Sequence, residues 1–375
     1  MPHTLTAARL HTPSRTWTNP VITIDDESLI QSIESAPDST DNTILTPTFF
    51  DIHIHGAADH DVMDATPEAF ARISRFLATR GVSHYLPTTV TAPVDATLRA
   101  LESIANNLES PGHPGAIPLG IHLEGPFVSH AKRGVHPPEY ILPPSIELFD
   151  RFQQAARGHI RLITIAPESP EALDLIRHAT AQGARVSIGH SNAIAAEARA
   201  AIAAGATSAT HTFNAMRPLD HREPGILGVV LDDNNLFAEL ICDGIHVAPE
   251  LVRLFFKAKG IDRAILVTDG MSATGMPEGT YILGGMQVEV ANGRALANGV
   301  LAGSVLTMDR AVANFARFTG ADLSTVTTLA SRNPAALLGL ETQLAIAPGQ
   351  PANFNRYTPN GTLHSTILQG KTITP

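Results

Sequence analysis

Short apolar runs that end in a polar residue alternate with alanine-rich segments through the middle of the chain. The apolar runs have the length and composition of strands, and the segments between them are rich in helix formers. Strands separated by helices are typical of a parallel α/β sheet, and eight of them predict a (β/α)8 barrel. The predicted strands are Thr48–His55, Ser83–Thr89, Ile117–Glu124, Arg161–Ala166, Arg185–His190, Ser208–His211, Phe237–Asp243 and Arg263–Asp269.

Six helices are predicted between and after these strands. Several begin after Ser, Asn or Pro, which favour helix starts, and Gly81, Gly183 and Gly205 lie where helices should end. We expect the helices to surround a TIM barrel over residues 47–345. They are Pro67–Thr79, Val94–Leu108, Pro170–Gln182, Ala193–Ala204, Pro249–Lys259 and Met308–Phe318.

The two ends of the chain differ from the barrel pattern. Residues 1–46 and 346–375 contain short alternating stretches rich in Thr and Pro. We expect them to be strands that pair into one small β-sandwich-like domain formed from both termini. Within the barrel, Tyr281–Leu301 contains Gly284-Gly285 and Asn292-Gly293, turn residues that predict a β-hairpin inserted after the eighth strand.

Composition excludes some classes of function. The 375 residues carry a formal net charge of −10 and only 5% aromatic residues, which argues against nucleic-acid binding. The same charge opposes a small anionic substrate, which would need a basic residue in its pocket. The single Cys242 cannot form an internal disulfide, no apolar run reaches 18 residues, and Met1–Leu10 lacks the pattern of a secretory signal. We therefore expect a cytoplasmic protein without a membrane partner.

Potential metal ligands concentrate at the predicted strand ends. In a parallel barrel the reacting groups lie at the carboxyl ends of the strands. His53 and His55 are two apart on one strand, so their imidazoles lie on the same face and can reach one ion. Imidazole and carboxylate ligands suit zinc or a similar divalent ion. Other strand ends carry Glu124, His190, His211 and Asp269.

Each of these residues alone has a simpler interpretation. A His-x-His pair is common by chance, and a lone Asp at a strand end is usually a cap or a turn residue. The agreement of five strand ends favours a metal site, because burying unpaired histidines and acids is costly unless a metal or a reaction requires them.

Several local motifs resemble those of a known family. Residues 47–56, PTFFDIHIHG, resemble the first metal motif of the amidohydrolase superfamily. HLEGPF at 122–127 and HTFNAM at 211–216 are more specific, and they are similar to segments of the N-acetylglucosamine-6-phosphate deacetylase family. The resemblance runs in unbroken order from about Pro47 to Leu340, with further matches at 134–136, 189–191, 222–225, 243–247, 268–271, 301–304 and 332–335.

The resemblance implies two sets of metal ligands. Glu124, His190 and His211 resemble the ligands of the principal metal. His53 and His55 resemble the ligands of a second metal, a pair that some members of the family lack. One or two divalent ions, with Zn²⁺ preferred, are therefore expected in each subunit.

The resemblance also implies catalytic and substrate-binding roles. Asp269 resembles the catalytic acid/base, and His136 resembles a residue that orients the acetyl group or stabilises the oxyanion. His246 resembles a substrate contact, and Arg222 with Asn214-Ala215 resembles a clamp for a sugar phosphate. In this family the clamp can come from the neighbouring subunit, so a homodimer is expected.

The expected reaction is hydrolysis of the acetamide of N-acetylglucosamine 6-phosphate, in amino-sugar catabolism or cell-wall recycling. The residues leave alternatives open: Arg222 is also explained by a surface ion pair, His246 by a core position, and His136 by a connecting loop. At the level of the whole protein, the alternatives are an amidohydrolase for a different N-acyl or cyclic amide and a non-catalytic barrel.

Overall fold

A computed structural model describes residues 2–374, and its centre is a ring of eight parallel strands. Seven neighbouring pairs are hydrogen-bonded in parallel from the first strand to the eighth. A parallel bridge between Ile54 and Gly270 joins the ends of the first and eighth strands, so the ring is nearly closed and the predicted (β/α)8 barrel is confirmed. In order, the strands are Phe49–Ile54, Val82–Thr89, Ile121–Glu124, Ile160–Ile165, Arg185–Ile188, Ala206–Ala209, Phe237–Ile241 and Ala264–Val267, and Ile117–Pro118 adds a short pairing to the second.

Ten α-helices pack around this sheet within residues 2–374. The six predicted helices are present, whereas Ile146–Ala155, Gly225–Asp232, Leu323–Ala330 and Arg332–Leu338 were not predicted. Side-chain caps explain some starts, since the Thr66 hydroxyl accepts a hydrogen bond from the Ala69 N–H. The predicted helices have the bounds Pro67–Thr79, Val94–Glu109, Ala172–Ala181, Ala195–Ala204, Pro249–Arg263 and Met308–Thr319.

Strands from both ends of the chain lie in one six-stranded sheet. Ile44–Pro47 pairs antiparallel with Phe354–Tyr357, and this pairing joins the two ends. The sheet order is Lys371–Ile373, Leu363–Leu368, Phe354–Tyr357, Ile44–Pro47, Arg9–His11 and Thr16–Thr18, and a separate sheet contains His3–Thr6, Pro20–Ile24 and Ile30–Ser35. Leu10, Ile22, Leu45 and Phe354 form an apolar core of their own here. The division into domains at residues 46 and 346 stays a prediction.

The insertion after the eighth strand is larger than the predicted hairpin. It is a four-stranded antiparallel sheet of Gly279–Leu283, Met286–Ala291, Arg294–Ala297 and Val300–Leu301. The two predicted turns are present, and Asn298-Gly299 makes a third. In all three turns both central residues have positive φ, the backbone that two-residue hairpin loops favour. The hairpin prediction was therefore wrong in the number of strands, because it left out the third turn.

The remaining elements are short. Gly56–Ala57 and His60–Asp61 form a two-stranded ladder, and Val62–Asp64, His130–Lys132 and Pro138–Tyr140 are 3₁₀ turns. Among residues 2–374, no helix combines the length and the apolar character needed to cross a membrane.

Candidate metal centre

Six polar side chains meet at the carboxyl ends of the barrel strands, and they form two groups. The first ligand group is His53, His55 and Asp269, and the second ligand group is Glu124, His190 and His211. Within each group, one nitrogen or oxygen atom from every residue lies within 4.8 Å of the others. All six residues are buried, with at most 8% of any residue exposed. The structure therefore brings together the five predicted metal ligands, and it adds Asp269 to the first group.

Glu124 lies between the two groups. Its Oε2 is 3.1 Å from His55 Nε2 and 3.4 Å from His53 Nε2. Its Oε1 is 3.3 Å from His190 Nε2 and 3.2 Å from His211 Nε2. The Glu124 carboxylate therefore faces all four imidazoles. Among the six side chains, it is the one that places an oxygen beside the histidines of each group.

Three of the ligands lie two residues beyond the end of a strand. His190 follows Arg185–Ile188, His211 follows Ala206–Ala209, and Asp269 follows Ala264–Val267. Their φ angles are 47°, 27° and 51°, in the left-handed region that side chains other than glycine rarely adopt. Such a backbone costs about 1–3 kcal/mol per residue and occurs most often at functional sites.

Hydrogen bonds at Nδ1 prepare three of the imidazoles to bind through Nε2. His55 Nδ1 lies 3.2 Å from the Thr88 carbonyl oxygen, and His190 Nδ1 lies 3.0 Å from the Lys132 carbonyl oxygen. His53 Nδ1 lies 3.0 Å from Glu239 Oε2. Carbonyl and carboxylate oxygens accept hydrogen bonds, so each Nδ1 carries a proton, and each Nε2 faces the centre, where a metal ion can bind it in place of a second proton.

The carboxylate charges of the centre keep His53 and His55 of the first group protonated. Burial lowers the pKa of His53 and His55, but the nearby Glu124 and Asp269 carboxylates outweigh it. The pKa of His53 is raised well above its usual value, and that of His55 is raised to about 9. Burial raises the pKa of Glu124 and Asp269, but the His53 charge together with the hydrogen bonds and charges of the other histidines outweighs burial and lowers both pKa values. Both acids are therefore carboxylates at neutral pH.

This donor set fits a divalent cation. His53 Nε2 and Glu124 Oε1 are buried, and neither has a well-formed hydrogen bond to any of residues 2–374. Buried polar atoms without partners are costly, and a cation between imidazole nitrogens and carboxylate oxygens would satisfy them. Glu124, His190 and His211 would hold one ion, and His53, His55 and Asp269 would hold another.

A cavity of about 180 Å³ opens beside the centre. Five of the six predicted substrate and catalytic residues line it: His136, Asn214, Ala215, His246 and Asp269. Leu283, Val300 and Leu301 from the four-stranded insertion form part of its wall, which the sequence did not indicate.

The two cavity histidines are held in different ways. His136 Nδ1 lies 2.6 Å from the Thr91 hydroxyl, and burial lowers the pKa of His136 to about 3, so this ring is neutral. His246 Nδ1 lies 2.6 Å from an Asp243 carboxylate oxygen. The Asp243 acceptor fixes the proton of His246 on Nδ1, whereas the Thr91 hydroxyl can act as donor or acceptor to His136.

Arg222 is the one predicted site residue that lies away from the cavity of its own subunit. It is exposed, and its backbone N–H donates to Asp220 Oδ1. None of the residues described as lining the cavity is Lys or Arg. A role of Arg222 in the site of a neighbouring subunit stays a prediction.

Glu239 contacts the centre although the sequence analysis did not select it. It lies in the seventh barrel strand and has 0% exposure. The sequence did contain a signal for Glu239, which is an acid inside an otherwise apolar strand. Both faces of a parallel barrel strand are buried, so an acid there indicates a special role.

Comparison with known proteins agrees with this geometry. A model of the amidohydrolase family matches residues 44–373. The chain belongs to the amidohydrolase family. It is 40% identical over 328 residues to an N-acetylglucosamine-6-phosphate deacetylase of Lysinibacillus sphaericus, covering 87% of this chain and 84% of that protein. It is 39% identical to an N-acetylgalactosamine-6-phosphate deacetylase of Escherichia coli O157:H7, covering 94% of each chain.

Solved structures of the same enzyme have the same fold. A mutant N-acetyl-D-glucosamine-6-phosphate deacetylase of Mycobacterium smegmatis, in complex with N-acetyl-D-glucosamine-6-phosphate, superposes with a TM-score of 0.93 at 31% identity over 100% of both chains. An N-acetylglucosamine-6-phosphate deacetylase of Thermotoga maritima gives 0.90 at 32% identity over 99% of both. The similarity therefore includes the terminal strands as well as the barrel.

Proposed function

We propose that this protein hydrolyses the acetamide of N-acetyl-D-glucosamine 6-phosphate to D-glucosamine 6-phosphate and acetate. The observation that carries the proposal is the pair of ligand groups sharing Glu124, with the Asp269 carboxylate beside them. Relatives that carry the name of this deacetylase, at 36–40% identity over most of the chain, support the substrate. The reaction belongs to amino-sugar catabolism or cell-wall recycling, and the cytoplasmic location remains a prediction.

Zn²⁺ is the proposed cofactor, because imidazoles and carboxylates in a buried centre are ligands that it prefers. A bound divalent ion supplies polarisation of the amide carbonyl and lowers the pKa of a water molecule from about 15.7 toward about 7. Glu124, His190 and His211 are proposed for the principal ion, and His53 and His55 for a second.

Asp269 is the proposed acid/base. Its Oδ1 lies 3.2 Å from His55 Nε2, and as a carboxylate Asp269 can accept a proton from the attacking water. It then gives this proton to the amide nitrogen, because an amine anion is a very poor leaving group.

His136 is proposed to stabilise the developing oxyanion. The ring is neutral, so only one of its nitrogens carries a proton. Donation from Nε2 into the cavity requires that the Thr91 hydroxyl donate to Nδ1. The proposed role therefore places the proton of His136 on Nε2 and makes Nδ1 the acceptor of the Thr91 hydroxyl.

The phosphate of the substrate needs a cation that one subunit does not place in its own cavity wall. We therefore propose a homodimer in which Arg222 of the second subunit binds the phosphate, and His246, Asn214 and Ala215 contact the sugar. Arginine suits this role because its planar guanidinium can donate two parallel hydrogen bonds to a phosphate group.

N-acetyl-D-galactosamine 6-phosphate is a second candidate substrate. The Escherichia coli O157:H7 relative named for this sugar covers 94% of both chains at 39% identity. The two sugars differ in the configuration of one hydroxyl group, so they present the same acetamide and the same phosphate to the site.

The decisive experiment measures acetate release by zinc-loaded protein from both phosphorylated sugars and from unphosphorylated N-acetylglucosamine. We expect the phosphorylated glucosamine derivative to have the highest kcat/KM. A higher kcat/KM for the galactosamine derivative would make N-acetyl-D-galactosamine 6-phosphate the preferred substrate. No release from any of the three by metal-containing protein would instead favour an amidohydrolase with a different amide substrate.

The Arg222→Ala variant tests the phosphate clamp in the same assay. A hydrogen bond to a charged group contributes about 1.5–3 kcal/mol, so KM for the phosphorylated sugar should rise about 10- to 100-fold. Activity on the unphosphorylated sugar should not change. Arg72→Ala, at another exposed arginine, is the matched control. An unchanged KM in Arg222→Ala would remove this residue from the site.

A further inference from the structure

One oxygen of a buried carboxylate touches both ligand groups. Glu239 Oε2 lies 3.0 Å from His53 Nδ1 and 3.1 Å from the backbone nitrogen of His211. His53 belongs to the first ligand group and His211 to the second. The two contacts therefore connect the groups, and Glu239 is not among the residues described as lining the cavity.

We propose that Glu239 is a positioning residue that couples the two ligand groups, holding His53 as a ligand through Nε2 and holding the backbone of His211 in its left-handed conformation. The inference rests on the metal occupancy in the proposed function and is independent of the substrate.

The first contact fixes the state of His53. Glu239 Oε2 already accepts the backbone N–H of His211, so it is an acceptor, and His53 must donate to it from Nδ1. His53 Nε2 then faces Glu124 Oε2 at 3.4 Å and Asp269 Oδ1 at 3.5 Å, where a cation can replace the second proton of the ring. Contacts of this kind orient a metal-binding imidazole and increase its basicity.

The second contact holds the backbone of a residue whose ring has no hydrogen bond at Nδ1. The φ of His211 is 27°, and its Nδ1 is buried without a hydrogen-bond partner among residues 2–374. His55 and His190, in contrast, each bond to a backbone carbonyl through Nδ1. The orientation of His211 therefore depends on its backbone, and Glu239 Oε2 accepts the N–H of that backbone.

The burial of Glu239 also calls for an explanation. It has 0% exposure, and its neighbours Ala238 and Leu240 are apolar and equally buried. Its second oxygen, Oε1, has no hydrogen-bond partner within the described chain. A buried carboxylate with one unpartnered oxygen is expensive for the fold, so its two contacts with the metal centre are the reason for the charge at this position.

Two substitutions separate the charge from the contact. Glu239→Gln keeps an oxygen that can accept both hydrogen bonds but removes the charge, so it should weaken metal binding mainly at the first group. Glu239→Ala removes both contacts and should weaken binding at both groups. Loss of a partner of a metal ligand typically costs about 10- to 100-fold in affinity, and this is the expected change in Kd.

The experiment is a competitive titration of metal-free protein with Zn²⁺ against a chelating dye, with the visible spectrum of the Co²⁺ form as a second readout. Thr164→Val is the control, because Thr164 is buried in the barrel interior but bonds to His122, which is not a ligand. We expect two ions in the wild type and in Thr164→Val, weaker binding of one ion in Glu239→Gln, and weaker binding of both in Glu239→Ala.

The possible outcomes distinguish this inference from the proposed function. Two ions bound with unchanged affinity and unchanged Co²⁺ spectra in both Glu239 variants would overturn the coupling and leave the function intact. One ion in the wild type would also overturn the coupling, and none would overturn both proposals. If the variants do not fold, NMR of the wild type decides, because a slowly exchanging Nδ1–H signal lost in His53→Gln is expected and its absence contradicts the proposal.

Discussion

The two ligand groups of this barrel are positioned by different means. In the first, His53 lies inside a regular strand and His55 immediately follows it, and both rings are held through Nδ1. In the second, His190 and His211 lie beyond their strands in left-handed turns, and of these two rings only that of His190 is held through Nδ1. The first group therefore depends more on side-chain contacts, and the second more on the shape of the backbone.

This difference predicts where each group is vulnerable. A histidine in a regular strand keeps its direction as long as the strand and its Nδ1 partner are present. A histidine in a left-handed turn loses its direction if the turn relaxes to a more favourable conformation. Asp269 shares the left-handed backbone although it belongs to the first group, so that group also contains one member set by backbone shape.

The largest effect is expected from Glu124→Gln, which changes the carboxylate that faces the imidazoles of all four ligand histidines. Losing this ligand charge should empty both groups and lower kcat/KM by about a thousand-fold or more, since the ion is what makes water nucleophilic at neutral pH. Metal analysis together with acetate release measures both effects. Two ions bound with normal affinity would contradict the central position of Glu124.

Asp269→Asn should affect metal binding at the first group but not at the second. The second group keeps all its ligands, so one ion should remain bound, while kcat falls by about 10²- to 10⁴-fold because the acid/base is lost. The measurement is acetate release beside metal content per subunit. Turnover equal to that of the wild type would rule out the proposed role of Asp269.

A smaller effect concerns the stability of the metal-free protein. The pKa of His55 is about 9 in the folded state, above its usual value of 6.5. Protonated His55 therefore stabilises the metal-free fold fully below pH 6.5, and this contribution is lost as the pH rises through 9. Tm after chelation should fall by several degrees over this interval, whereas the zinc-loaded protein, in which His55 binds the ion without a proton, should not show this fall.

His55→Asn is the control for this pH dependence. It lacks one of the two imidazoles with a raised pKa, so its metal-free Tm should fall less between pH 6.5 and 9 than that of the wild type, and His53 accounts for the fall that remains. An equal fall in both proteins would show that the carboxylates do not hold a proton on His55.

Much of the barrel was predictable because its strands are short apolar runs between helices with clear starts and ends. The helix Pro67–Thr79 was predicted to the residue, since Thr66 caps it and Gly81 follows it. Gly225–Asp232 was not predicted, because Pro224-Gly225 is typical of a turn and the following residues are apolar on every side, without helical periodicity.

The site was predictable to the same degree and for a related reason. The spacing of two residues indicated His53 and His55 as ligands, and the position after an apolar run indicated the other ligands. The left-handed turns at His190 and His211 could not be predicted, because the residues there are not glycine. Glu239 was missed because its contacts are with His53 and His211, which are distant in sequence.

The pairing of Ile44–Pro47 with Phe354–Tyr357 can form only late during synthesis on the ribosome. Ile44–Pro47 leads into the strand that carries His53, but its antiparallel partner emerges only after the whole barrel. A nascent chain that stops before residue 354 would contain all six ligands, yet one edge of Ile44–Pro47 would be open to pairing with other chains. Phe354–Tyr357 thus covers this edge once synthesis is complete, and it does so without contributing a ligand to the metal centre.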